Sequence, residues 1–158
     1  MKTTWIVAYD FSDQARAALT SAGDMLARQG GGRLIVAHAH PEGAGTHGLG
    51  LDILTLAPSA ELERAYRLDA EGALAEELLS FAAAGVEVSH RVIAGNPAEA
   101  ITTLAGEEKA ELIAVGSHGR RGLERLLLGS VAEAIMRRAH CPVLVVRATP
   151  PGDGGPSI

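Results

Sequence analysis

The chain has 158 residues, 47% of them apolar, a length that suits one domain and a composition that excludes wholesale disorder. A net charge of −5 with only Trp5, Tyr9, Phe11, Tyr66 and Phe81 aromatic excludes a nucleic-acid binder working by charge and base stacking. The single cysteine, Cys141, excludes an internal disulfide, and no run approaches the roughly 18 apolar residues of a membrane span.

In chain order, MKTTWIVAYD reaches an acid at Asp10 with no small-residue cleavage site, so it reads as a first strand over residues 5–8 and not as a signal peptide. Ser12 is the expected cap of a helix whose stripe is Ala15, Ala18, Leu19, Ala22, Met25 and Leu26, stopped by Gly30, Gly31 and Gly32. A second apolar strand covers residues 34–37, and a Gly-rich loop covers residues 41–58. Leu62, Ala65, Tyr66, Ala73 and Phe81 mark a long helix ending near Gly85. Residues 86–92 alternate, with Val86, Val88, His90 and Val92 on one face, as an edge strand with one wet face should. Asn96, Pro97 and Glu99 read as an N-cap, a proline at N1 and an acid at N3, opening a helix with Ile101, Leu104 and Ala105 inward. Residues 112–115 form a fourth strand, Ser130 to Glu133 a capping-box pattern before Ile135 and Met136, and Val143 to Val146 a last strand. The domain therefore spans 1–148, with 149–158 expected to be a disordered tail.

Strand and helix alternate throughout. This predicts an α/β fold: a parallel sheet with right-handed crossovers and helices on both faces. In such sheets ligands bind beyond the carboxyl ends of the strands, where the strand order reverses.

The chemistry gathers after the fourth strand. From His118 to Arg147 there are six arginines against two acids, on a chain that is acidic elsewhere. Gly116-Ser-His-Gly119, nine residues, then Gly129-Ser130 frame that basic stretch. Glycine permits positive φ and close backbone approach, and a helix N-terminus offers unpaired N–H groups and partial positive charge. Together they predict a phosphate cradle, with His118, Arg120 and Arg121 adding donors. Other signals carry less. Gly43 to Gly48 matches a dinucleotide-binding glycine pattern, but Pro41 intervenes and no helix pattern follows directly. His38 and His40 share a strand face without a partner at ligand spacing, and packing is the expected role. Cys141 is expected to be a buried thiol.

The run from Glu111 to Glu133, with His140-Cys-Pro-Val-Leu-Val-Val-Arg147, resembles the universal stress protein family. That family's nucleotide-binding pattern is glycine, two residues, glycine, nine residues, glycine and serine or threonine. Gly116, Gly119, Gly129 and Ser130 match it without a gap. The resemblance implies a Rossmann-like open five-stranded sheet of order 3-2-1-4-5 and the ATP-binding branch. It implies nucleotide contacts from Ala8, Tyr9 and Asp10 after the first strand and from Ala39 after the second. Around the glycines it implies Val115, Gly116, Gly119, Arg120, Gly129, Ser130 and Val131. Tyr9 is bulkier than the residue many members carry there and is expected to press on the base. Mg²⁺ would come with the phosphates, and an apolar last strand implies a homodimer paired through it.

The resulting expectation is a cytoplasmic stress-response module that binds ATP and signals by conformation or partners. The alternative is a slow ATPase or nucleotide-transferring enzyme. No Walker lysine follows the glycines, and His118 is the only nearby group that could position water, so alanine there is expected to change affinity little. A phosphoacceptor domain using Asp10 or Asp13 would need a lysine after the last strand, where Arg147 and Ala148 stand.

Overall fold

A computed structural model of the chain describes residues 2–40, 60–118 and 128–148. Five strands and four helices alternate: β1 (Thr4–Ala8), α1 (Asp13–Arg28), β2 (Gly32–His40), α2 (Ala60–Leu79), β3 (Val86–Ala94), α3 (Pro97–Glu107), β4 (Leu112–Gly116), α4 (Ser130–Arg138) and β5 (Val143–Val146). The strands form one parallel sheet in the order β3-β2-β1-β4-β5, as the resemblance implies. The 41–58 loop, most of the basic loop and the 149–158 tail lie outside the described residues.

The central strand β1 is buried along its whole length, because β2 and β4 flank it and both faces are covered. Its alternation splits the core in two. Trp5, Val7 and Tyr9 join Leu34 and Val36 of β2 against Ala18, Leu19, Ala22 and Leu26 of α1 and Leu74 of α2. Ile6 and Ala8 join Ile35, Ala37, Ile113 and Val115 against Ile101 and Leu104 of α3 and Ile135 of α4. Each of these large side chains, taken fully out of water, contributes about 2 kcal/mol before entropy is counted.

The caps follow the sequence reading at two helices. Ser12 Oγ accepts from Ala15 N at 3.1 Å to open α1, and Asn96 Oδ1 accepts from Glu99 N at 3.2 Å to open α3. Helix α1 ends where Gly30 and Gly31 take φ of 101° and 87°. A Cβ at Gly31 would collide with the Gly85 carbonyl, so this turn needs glycine for both conformation and space.

Three details differ from expectation. Helix α2 stops at Leu79, and Phe81 lies beyond it; the ring fits because Gly23 of α1 has no Cβ to meet it. Met25 is exposed at the edge of the α1 stripe. The third concerns α4: the residue at its N-cap is Gly129, so Ser130 and Glu133 stand one position further into the helix than a capping box requires. Glu133 accordingly turns outward to Arg137, with Oε1 accepting from Nη2 at 2.7 Å.

Candidate functional site

The strands are all parallel, but their order across the sheet reverses between β1 and β4, and in such sheets the crevice lies at their carboxyl ends. The predicted residues of β1, β2 and β4 meet there in register: Ala8 stands beside Ala37 on one side and Val115 on the other. Ala8, Ala37 and Val115 all face α3 and α4, and Ala39, two residues past Ala37, shares that face by alternation. Three adjacent alanines and one valine leave the top of this face low. A flat apolar ligand can lie on such a floor.

Tyr9 does not stand on that floor. Its side chain turns to the opposite face, among α1 and α2, and its hydroxyl donates to Glu77. Arg16 Nε donates to the same carboxylate at 2.5 Å, which ties β1, α1 and α2 together. Burial, and next the hydrogen bond to Glu77, push the Tyr9 phenol above its ordinary pKa, so it stays a donor at any physiological pH. The Tyr9 carbonyl accepts from His38 Nδ1 at 2.8 Å. By the strand's own alternation the Tyr9 ring takes the face opposite to Ala8 and Val115, away from the floor on which the sequence reading had it press on a base. His38 and His40 pack round Tyr66, with ring centroids 6.5 and 4.6 Å away. Cys141 is half-buried, and burial raises its thiol pKa.

Asp10 sits just past the end of β1. Its Oδ1 accepts from Ser12 N at 3.1 Å and from Ser12 Oγ at 2.5 Å. Asp10 and Ser12 thus start α1 jointly, and Phe11 between them holds φ 64°, a left-handed conformation that a side chain seldom adopts. Strain of this kind persists only where the surroundings fix it. Here the Phe11 ring is held edge-on by Tyr9 at 5.4 Å and by His38 at 5.1 Å.

The glycines act differently from one another. A Cβ at Gly116 would stand 2.7 Å from Gln14 Cβ and 2.8 Å from its carbonyl carbon. Gly116 is therefore needed for the first turn of α1 to approach β4. Gly129 has φ −62° and ψ 147°, which any residue adopts, so the expected positive φ is absent there. Its N–H donates to Ser117 O at 2.7 Å and its carbonyl accepts from Glu133 N at 2.9 Å. Having no side chain, Gly129 leaves the first turn of α4 without a side-chain cap. The N–H groups of Ser130, Val131 and Ala132 are the orphan donors of that turn. Ser130 and Val131 are exposed, and α4 lies on the same face as the alanine floor. Gly119 and Arg120 fall outside the described residues.

Sequence reasoning missed Ser117. It is buried, and its backbone N donates to Val146 O at 2.8 Å while its carbonyl holds Gly129. Both roles belong to the main chain, so no side-chain pattern signals them. Among the described residues, no three His, Cys, Asp or Glu side chains gather at metal-binding distance. No described helix is long and apolar enough to cross a membrane.

The family model of the universal stress protein family matches residues 2–147. The chain belongs to the universal stress protein family. A universal stress protein of Thermus aquaticus is 38% identical over 148 residues, covering 93% of this chain and 100% of that one. Universal stress protein MJ0531 of Methanocaldococcus jannaschii is 51% identical over 63 residues, 40% of this chain and 37% of its own length. Among solved structures, MJ0577 of the same organism superposes with a TM-score of 0.73 at 26% identity, covering 95% of this chain and 99% of that one. A universal stress protein solved in complex with cAMP superposes with a TM-score of 0.57 at 28% identity, over 94% and 98% of the two chains.

One consequence separates fold from ligand at the first glycine. Gly116→Ala should lower unfolding stability by about 1–3 kcal/mol, since the added methyl meets backbone that cannot swing aside. Urea denaturation checks this. Full stability in the variant would contradict the packing role.

Proposed function

We infer that the chain binds ATP at the crevice between β1 and β4, and that it works as a nucleotide-dependent regulatory module in the stress response, in the cytoplasm. The observation that carries the reading is a contrast among helix starts at the carboxyl edge. Helices α1 and α3 are each closed by a side-chain cap, Ser12 and Asn96, whereas α4 opens on a glycine that gives no side-chain cap to its donors. Such a turn suits phosphate oxygens, which accept from N–H groups and are attracted by the helix dipole. The alanine floor beside it suits an adenine, and the Asp10 carboxylate at the end of β1 suits ribose hydroxyls. Gly119 and Arg120 complete the family's pattern in sequence. The cAMP complex of a family member supports an adenine nucleotide as the ligand class.

The donors on this edge match anions. Mg²⁺ in this reading is held by the phosphate oxygens and asks for no carboxylate cluster from the chain. In this reading binding is the working event: phosphoryl transfer also needs an aligned nucleophile, and no Walker lysine follows the glycines.

Strand β5 supports a dimer. It pairs with β4 on one side, its four residues are all half-buried apolar side chains, and its outer edge has no partner strand among the described residues. An apolar edge left open invites aggregation. Two copies pairing β5 with β5 about a two-fold axis would close it.

Two measurements test these readings. Calorimetry on purified protein should show ATP binding, weakened at least about tenfold, or 1.4 kcal/mol, by Gly129→Val. The variant should still fold, because the Gly129 backbone angles admit valine. Unchanged affinity would remove the α4 cradle. Light scattering at micromolar concentration should give a dimer; a monomer would contradict pairing through β5.

A further inference from the structure

The turn that carries Asp10 is held from both sides by one carboxylate of α2. Glu77 Oε1 accepts from the Tyr9 hydroxyl and from Arg16 Nε, the latter at 2.5 Å. Tyr9 comes directly before Asp10. Arg16 comes after it, at the start of α1, where its N–H donates to Ser12 O at 3.0 Å and its Nη1 donates to Asp13 Oδ1 at 3.2 Å. The two donors therefore bracket Asp10, Phe11, Ser12 and Asp13. The Glu77 side chain is 23% exposed, so water and salt screen these bonds less than those of a surface pair. Bonds to an ionised acceptor are also the stronger kind. Inside the bracket Phe11 holds φ 64°, a conformation that its surroundings must impose. Asp10 Oδ1 is taken by Ser12, whereas Oδ2 has no hydrogen-bond partner among the described residues.

We propose that Glu77 is a positioning residue of the nucleotide site: by holding Tyr9 and Arg16 it fixes the β1–α1 turn, so that the Asp10 carboxylate meets the ribose hydroxyls. This role rests on the ATP reading above and deepens it with a residue outside the crevice. Helix α2 packs on the face of the sheet opposite the alanine floor, so Glu77 acts through the turn and not on the ligand. A group of this kind changes affinity only for ligands that use Asp10. A residue that merely stabilises the fold would treat all nucleotides alike.

Calorimetric titrations of ATP, 2′-deoxy-ATP and 3′-deoxy-ATP separate the two roles. Wild type should bind at least one deoxy analogue about tenfold more weakly than ATP, as loss of a hydrogen bond to a charged group implies. Glu77→Ala should shrink that preference to within about threefold by weakening ATP alone, leaving the affinity for that analogue unchanged. Glu77→Gln, whose amide oxygen still accepts, should bind ATP within about threefold of wild type. In an Asp10→Ala background Glu77→Ala should change nothing further. Tyr9→Phe keeps the ring in the core and should lose part of the preference, which keeps the role testable if Glu77→Ala does not fold. In the ligand-free protein, nitrogen NMR should show the Asp10, Phe11 and Ser12 amides displaced by Glu77→Ala and those of Ser130 and Val131 unmoved. Equal weakening of ATP and its analogues by Glu77→Ala, or no weakening, would overturn the positioning role. If wild type binds ATP and both analogues alike, that role falls and the α4 cradle stands. If wild type binds no nucleotide, the ATP reading fails and the role of Glu77 falls with it.

Discussion

The carboxyl edge of this sheet depends on the two backbone hydrogen bonds of Ser117. Its N–H holds Val146 at the end of β5, and its carbonyl holds Gly129 at the start of α4. One buried residue thereby fixes where the edge strand stops and where the helix begins. Moving either would shift the uncapped first turn of α4 relative to Ala8 and Val115. Main-chain bonds in a buried setting are costly to break unpaired, which is what makes this junction rigid.

The two faces of the sheet divide the work. On the α1 and α2 face, the top of the sheet is filled: Tyr9, Phe11, His38, His40 and Tyr66 pack against one another, and Glu77 links Tyr9 to Arg16. On the α3 and α4 face, the corresponding positions are Ala8, Ala37, Ala39 and Val115. Bulk on one side fixes the β1–α1 turn with its left-handed Phe11. Small residues on the other side leave room for a ligand. The single alternation of β1 produces both, since successive side chains point to opposite faces. The same logic separates the glycines of the family pattern. Gly116 serves α1, whose first turn occupies the space a Cβ would need, and Gly129 leaves a helix start uncapped.

Much of this was legible in the sequence. The strands β1, β4 and β5 are short apolar runs, and the starts of α1 and α3 carry recognisable caps in Ser12 and Asn96. The reversal point followed from the order of elements and the family resemblance. What was not legible has physical reasons. Ser117 acts through its backbone, which any residue type could supply. Gly129 and Ser130 look in sequence like a residue before a cap and the cap itself, and only the backbone angles show the glycine at the N-cap. The end of α2 was misplaced because Phe81 continues the apolar stripe, and only its packing against Gly23 shows that it belongs to the following connection. The face taken by Tyr9 follows by alternation from Trp5 and Val7, whereas its bulk alone gives no face.

The central claim is that the uncapped start of α4 and the alanine floor form one nucleotide site. Titrating ATP into nitrogen-labelled protein and following the backbone amides tests it most directly. The amides of Ser130, Val131 and Ala132 should shift most, together with those of Ala8, Ala39 and Val115. Absence of shifts at saturating ATP would contradict the account. So would shifts confined to the groove between β3 and α3, lined by Arg91, Asn96 and Thr103, since that groove lies at the edge of the sheet away from the reversal point.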